Sequence, residues 1–276
     1  MSVINTNIGA LKASNAASQA ERMQGTAMER LSSGKRINGA KDDAAGLAIA
    51  TSMTAQIRGM NQGIRNANDG ISLAQTAEGA LDEVSNMLQR VRELATQSAS
   101  GTYKDATDRA YMQKEVDELT AQIGQVVANS EFNGVKLFDG TTTTVTIQAG
   151  ANAADTIDLT MADLSTDVSG AAGTAGTYDV STATAANALL GTVGDELDAI
   201  SSARATLGAG QNRLESAVNT LSSNAINLAD ARSQIEDTDY SAETTALAKS
   251  QILSQASTAM LAQANQSQQN VLSLLR

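Results

Sequence analysis

The sequence predicts a mainly α-helical protein, a long antiparallel helical rod with coiled-coil packing and a small β element in its middle. The first observation is a ladder of apolar residues spaced seven apart: Ile200, Leu207, Leu214, Leu221, Leu228 and Ile235. Such a repeat keeps one side of an α-helix facing a partner helix. The second observation is the absence of proline from all 276 residues, because an interior proline costs a helix about 3 kcal/mol. The third is the scarcity of aromatic residues, which favours thin seams between helices over a globular core.

Three helices are predicted in the first half of the chain, at residues 4–31, 44–98 and 105–129. The first carries small residues, among them Ala20 and Ala27, on one face. The other two carry apolar residues at spacings of three and four, the period of an amphipathic helix. Together with the ladder they predict the core of the rod, which comprises Leu81, Val84, Leu88, Val91, Leu119, Ile123, Leu207, Leu214, Leu221 and Leu228.

The middle of the chain predicts turns, short strands and loops. Asn133-Gly134 is a turn-forming pair, and Val145 and Ile147 alternate with threonines as on one face of a strand. Residues 151–188 are weakly patterned and predict a few short strands among irregular loops. Helix is predicted again from about residue 185 to 235, and after a polar joint one last helix follows.

Both ends of the chain are helical in pattern but poor in large apolar groups. Alone they bury too little surface to offset the entropy of ordering, so we expect them to form a helical pair only on assembly. We predict terminal arms at residues 1–43 and 237–276, a helical rod at 44–140 and 185–236, and a small exposed insert at 141–184. The predicted contacts between subunits are Ile4, Ile8, Leu11, Leu253, Met260, Val271 and Leu274.

Composition excludes several classes of function. The chain has no histidine and no cysteine, so it holds no Ser-His-Asp triad, thiol nucleophile or Cys/His zinc site. Asp42 and Asp43 are better interpreted as a helix start than as a metal site. We therefore predict no enzyme activity, no catalytic residues, no metal and no cofactor. The absence of a basic patch argues against nucleic acid as a partner, and no run of about 20 apolar residues predicts a membrane span.

Five stretches resemble bacterial flagellin: residues 2–7 (SVINTN), 30–50 (RLSSGKRINGAKDDAAGLAIA), 89–99 (QRVRELATQSA), 131–137 (EFNGVKL) and 270–276 (NVLSLLR). The resemblance implies a subunit that polymerises with itself into the flagellar filament, exported unfolded by the flagellar type III apparatus and located outside the cell. It implies that the termini pair as an inner tube and that the rod forms the shell around it. The middle is too short for the large outer domains of longer members.

The same resemblance implies further partners. They are the flagellar export chaperone, the cap and hook-junction proteins, and the flagellin-sensing Toll-like receptor of animals. Gln89, Arg90, Leu94 and Glu115 match the positions that this receptor recognises. The alternative for these four residues is that they serve packing between subunits.

Other functions remain open at this stage. The chain could be a minor flagellin, a hook-junction protein or an adhesin that uses residues 141–188, and those residues could also carry O-linked sugars. A hydrolase carried on a filament would have to use Asp155, Asp158, Asp163 and Asp167, which have no evident base or metal partner.

Overall fold

The structure, a computed structural model, describes the backbone of residues 6–273 and the side chains of residues 6–269. The long helices are α1 (Ile8–Ser33), α2 (Ala44–Ala99), α3 (Ala110–Asn129), α5 (Ala183–Glu236) and α6 (Tyr240–Ser273). The short elements are strands β1 (Glu131–Phe132), β2 (Val135–Lys136), β3 (Thr144–Gln148) and β4 (Thr156–Thr160), helix α4 (Leu164–Asp167), a π-helical turn at Asp105–Arg109 and a 3₁₀ turn at Ser169–Ala172. The predicted mainly α-helical class is confirmed.

Residues 151–188 differ in part from their prediction. They contain one strand, β4, and then two helical turns where the sequence predicts further strands. The Asp163 carboxylate accepts a hydrogen bond from the Ser165 amide at 3.0 Å and so begins α4. A local cap therefore prevails over the weak strand pattern that follows it.

Contacts divide the chain into two units, residues 56–225 and residues 1–55 with 226–276. The predicted boundaries of the arms, rod and insert differ from the boundaries of these two units, and that division stays a prediction. Among the residues that the structure describes, no helix is long and apolar enough to cross a membrane.

The core of the unit at 56–225 lies between α2, α3 and α5. Seven of the predicted core residues are buried there: Leu81, Val84, Leu88, Val91, Ile123, Leu207 and Leu214. Leu119 is half-buried at its edge, and Leu221 is half-buried beside a groove next to β4. Leu228 belongs to the other unit and is also half-buried. The ladder is thus most deeply buried at its first three positions.

Two antiparallel hairpins pack onto these helices. β1 and β2 are joined by Asn133 (φ 50°) and Gly134 (φ 80°), the left-handed pair that a two-residue hairpin turn requires. β3 and β4 pair from Thr144 opposite Thr160 to Gln148 opposite Thr156. Gly63 lets this hairpin lie directly on α2, because a Cβ there would stand 2.8 Å from the Ala149 carbonyl carbon.

Candidate functional site

Helices α1 and α6 pack side by side in opposite directions. At one end the Asn7 Nδ2 donates to the Ala264 carbonyl at 3.1 Å, and at the other Arg30 lies 3.9 Å from Glu243. Asn7 also caps α1, since its Oδ1 accepts a hydrogen bond from the Ala10 amide at 3.0 Å. The helical pair predicted for the termini is therefore present within a single chain, while its dependence on assembly stays a prediction.

A stripe of alanines forms the seam of this pair. Ala13, Ala20 and Ala27 are spaced seven apart and all are buried, and Ser250 is buried on α6. The repeat keeps these residues on one side of α1, as in a coiled coil. Small side chains let the two backbones approach closely, but each buries little apolar area.

Most of the large apolar side chains of α1 and α6 are exposed rather than packed in this seam. Among the side chains of residues 6–269, eight on these helices are exposed: Ile8, Leu11, Met23, Met28, Tyr240, Ile252, Leu253 and Met260. They include four of the predicted contacts between subunits, Ile8, Leu11, Leu253 and Met260. Of the other three, Ile4 and Leu274 lie outside the described residues, and Val271 lies outside the described side chains.

Two apolar grooves run along the helical pair. One, of about 510 Å³, is lined by Met23, Ala27 and Leu253, and the other, of about 520 Å³, by Ala13, Leu253 and Met260. An exposed apolar surface of this kind is typical of a site that another protein surface covers. The arms therefore have the composition of an interface whose second half is supplied from outside the chain.

The joint that follows α1 is tied to the end of α5. The Thr238 amide donates to the Gly34 carbonyl at 3.0 Å, and the Arg36 amide donates to the Glu236 carbonyl at 2.6 Å. The Lys35 ammonium reaches a Glu236 carboxylate oxygen at 2.5 Å. These contacts fix where α1 ends relative to the start of α6.

Asp42 and Asp43 cap local turns, as their helix-start interpretation predicts. The Asp43 Oδ1 accepts a hydrogen bond from the Gly46 amide at 2.9 Å in the first turn of α2, and the Asp42 Oδ2 accepts from the Asn38 amide at 3.1 Å. Within residues 6–269, no three acidic side chains gather into a group that could hold a metal ion.

Arg90 and Glu115, two of the candidate receptor residues, lie together on the surface of α2 and α3. The Arg90 Nε donates to the Glu115 Oε1 at 2.8 Å, and its Nη1 donates to the Glu93 Oε2 at 2.8 Å. Hydrogen bonds to Glu93 and then Glu115 raise the pKa of Arg90. Gln89 is exposed beside them, but Leu94 is only 2% exposed and packs in the core.

The four aspartates of the hydrolase hypothesis are held in part by local hydrogen bonds. Asp155 accepts from the Asn152 amide at 3.0 Å, Asp158 from the Thr146 hydroxyl at 2.7 Å, and Asp163 from the Ser165 hydroxyl at 2.5 Å. The Ser165 hydroxyl is the main cause of the lowered pKa of Asp163. These bonds stabilise turns and the hairpin.

Two buried polar clusters, around Arg109 and Tyr178, were not predicted from the sequence. The buried Arg109 donates to the carbonyls of Ser98, Tyr103 and Ser100 and pairs with Asp105, and so holds the turn between α2 and α3. The buried Tyr178 donates to the Glu196 Oε2 at 2.8 Å. Neither cluster has a local sequence signal, because its partners are mostly backbone groups or distant side chains.

Comparisons with known proteins agree at both ends of the chain. Residues 4–143 match the family model of the bacterial flagellin N-terminal helical region, and residues 190–275 match that of the C-terminal helical region. A flagellin of Halalkalibacterium halodurans is 46% identical over 99% of this chain and 100% of its own length. A flagellin of Bacillus subtilis is 45% identical over 99% of both chains.

Solved structures give a consistent result. A crystal structure of Bacillus cereus flagellin aligns with a TM-score of 0.50 at 33% identity, over 61% of this chain and 94% of that one. A putative flagellar hook-associated protein of Vibrio parahaemolyticus aligns with a TM-score of 0.59 over 71% of this chain and 100% of that one. At 17% identity, that second likeness shows the fold alone.

Proposed function

The chain belongs to the bacterial flagellin family and is a subunit of the extracellular flagellar filament, and from this premise we propose that it polymerises through its two terminal arms. It is a short form without large outer domains. The role of the family is structural, and we propose no catalytic activity beside it.

The exposed apolar surface of α1 and α6 carries this proposal. Eight large apolar side chains of these helices are open to water, although the helices already pack on each other through their alanine stripe. Burial of apolar area contributes roughly 25 cal/mol per Å². Contacts with the arms of neighbouring subunits would therefore supply the stabilisation that the thin alanine seam lacks.

Electron microscopy of purified, monomerised protein tests the proposal, before and after addition of salt and short filament seeds. We expect long, uniform filaments from the natural chain. We expect no filaments from Leu11→Asp, which places a charge in the exposed surface, and normal filaments from Leu11→Met, which keeps an apolar side chain at the same exposed position. Filaments of normal length from Leu11→Asp would contradict a role for the arms.

The finer division of the chain follows from the same proposal. Residues 1–43 and 237–276 form the inner tube, residues 44–140 and 185–236 form the shell, and residues 141–184 lie on the outside. We also propose export in an unfolded state by the flagellar apparatus. A chain without cysteine or proline suits this route, because neither disulfide exchange nor proline isomerisation slows its refolding.

Partners beyond the chain itself are proposed from the resemblance alone. They are the export chaperone, the cap and hook-junction proteins and the flagellin-sensing Toll-like receptor. For the receptor we retain Gln89, Arg90 and Glu115 as surface contacts and assign the buried Leu94 a supporting role. Arg90→Ala is expected to lower receptor activation by monomeric protein at least tenfold, whereas Arg92→Ala, at another exposed arginine, is expected to leave it unchanged. Equal activation by both variants would contradict the assignment.

A further inference from the structure

Tyr111 is the most exposed large apolar side chain in the described part of the chain. It is 70% exposed at the start of α3, in a protein with only six aromatic residues. Within residues 56–225 its one companion among exposed large apolar residues is Val135. The Lys114 ammonium lies 5.8 Å from the centre of the Tyr111 ring, a weak cation–π contact at an open site. An aromatic side chain beside charged groups is a common anchor of protein interfaces.

A groove in the same unit offers a complement to this side chain. It has a volume of about 420 Å³ and lies between β4 and α5, where Ile157, Ala217 and Leu221 provide apolar walls. Asp155 and Arg213 are also part of its lining. The groove therefore combines an apolar interior with one acidic and one basic side chain.

The charges of the two surfaces are complementary. Lys114 and Glu118 stand on α3 near Tyr111, one turn apart, while Asp155 and Arg213 line the groove. The structure gives neither Glu118 nor Arg213 an ion-pair partner among residues 6–269. Each surface therefore carries one acidic and one basic side chain, and each of these can face an opposite charge on the other surface of a second copy.

The two surfaces lie far apart along α2. The groove is at the level of Asn66, whose Nδ2 donates to the Gln148 carbonyl at 3.0 Å, and Tyr111 is one turn before Glu115, which pairs with Arg90. Helix α2 rises about 36 Å between Asn66 and Arg90. A single chain therefore cannot bring its own Tyr111 into its own groove.

We propose that the Tyr111 surface of one subunit docks into the β4–α5 groove of a second copy of this chain, with Lys114 facing Asp155 and Glu118 facing Arg213. A helical polymer requires head-to-tail contacts of this kind, in which two different surfaces of each subunit meet. The contact joins the units at residues 56–225 of neighbouring subunits directly, independently of the arms. It rests on the filament role of the family, and its test separates it from that role.

Charge exchange tests the pairing during seeded growth of filaments. Glu118→Arg and Arg213→Glu each place like charges in the contact and are expected to slow elongation about tenfold. The double variant restores opposite charges and is expected to recover the natural rate. Glu83→Arg, at another exposed acidic position, is the control and should not rescue Arg213→Glu. Single variants that elongate at the natural rate, or a double variant no faster than the singles, would overturn the proposal while leaving the filament role intact.

Cysteine crosslinking of assembled filaments gives a second readout, since the natural chain contains no cysteine. Filaments of a chain with both Glu118→Cys and Arg213→Cys, treated with a mild oxidant, are expected to yield a ladder of dimers, trimers and longer chains on a denaturing gel. Each single-cysteine variant can yield dimers at most. Products no longer than dimers from the two-cysteine chain would refute the head-to-tail contact.

Discussion

Tyr178 and Glu196 show how one buried pair stabilises an otherwise apolar unit. The Tyr178 hydroxyl donates to the Glu196 Oε2 and accepts from the Gly170 amide at 2.8 Å, while the Glu196 Oε1 accepts from the Ser169 amide at 2.8 Å. The four groups satisfy one another away from water. A buried acceptor that loses its donor costs about 1–3 kcal/mol, more when it is charged. The segment at residues 168–180 thus depends on this pair.

Replacement of Tyr178 by phenylalanine should lower the free energy of unfolding by about 2–3 kcal/mol. The ring is retained, so the loss reports the hydroxyl together with the Glu196 Oε2 and the Gly170 amide, which lose their hydrogen-bond partner. Urea unfolding followed by circular dichroism measures this loss, with Tyr111→Phe as the control at an exposed tyrosine. Equal stabilities of the two variants would mean that Glu196 finds another partner.

The same pair makes stability depend on pH at the alkaline end. Burial is the main cause that raises the pKa of Tyr178 above its ordinary value of 10.0, followed by the charge of Glu196 and the hydrogen bond to it. The unfolded chain therefore releases the Tyr178 proton at a lower pH than the folded chain does. The contribution of the Tyr178–Glu196 pair to the free energy of unfolding is thus full below pH 10 and declines as the pH rises above 10. The difference in stability between the natural chain and Tyr178→Phe should shrink above pH 10 by up to about 1.4 kcal/mol per pH unit. A constant difference would contradict this.

Three glycines predict three different results for the same substitution. Gly79 lies inside α2 with open space around it, so Gly79→Ala should stabilise the unit by about 1 kcal/mol through helix propensity. Gly134 also faces open space but has a φ of 80°, so alanine there should destabilise by about 1–2 kcal/mol. An alanine Cβ at Gly124 would stand 2.5 Å from the Gly173 Cα, which predicts the largest loss. Thermal unfolding of the three variants should give this order, and any other order would show that the backbone adjusts.

At the scale of elements, helix existence and strand turns were predictable from the sequence. The helix predicted at 44–98 is Ala44–Ala99, and the Asn133-Gly134 turn lies between paired strands, because both signals are local. The loop that follows α4 was not predictable. Its path depends on Gln113, whose Oε1 accepts from the Val180 amide at 2.7 Å, and on Ser98, whose hydroxyl donates to the Val180 carbonyl at 2.6 Å. Contacts at such separations leave no local pattern.

The candidate surface on the arms was predictable in part. Period and composition select Ile8, Leu11, Leu253 and Met260, which the structure exposes, while their role between subunits stays a prediction. The alanine stripe was predicted at Ala20 and Ala27 but not at Ala13. Leu94 shows the limit of a motif match, because the match gives a position and not its burial.

The alanine stripe predicts a strong dependence on side-chain size. Ala20 is 1% exposed in the seam, so Ala20→Leu should force α1 and α6 apart and raise the critical concentration for filament growth at least tenfold. Ala20→Ser keeps the side chain small and should change the critical concentration much less. Sedimentation of filaments at a series of protein concentrations gives both values. A normal critical concentration for Ala20→Leu would show that the seam tolerates separation.

At the scale of the whole molecule, the two units bury different kinds of side chain. Among the side chains of residues 6–269, the contiguous buried cluster runs from Ala67 to Leu214 and includes none from α1 or α6. The arms contribute small buried residues and a large exposed apolar surface. Folding of the unit at 56–225 therefore depends on its own core, and the exposed surface of the arms is available for assembly of the filament.

Removal of either arm, residues 1–43 or 237–276, should abolish polymerisation while the helices at 56–225 remain folded. The arms bury their large apolar side chains only between subunits in this view, so each truncated chain loses the stabilisation of assembly but none of its own core. Circular dichroism should retain a cooperative thermal transition, and sedimentation velocity should give monomers at concentrations where the full chain forms filaments. Filaments from a chain without one arm would refute this view, and loss of the cooperative transition would show instead that the arms belong to the folding unit.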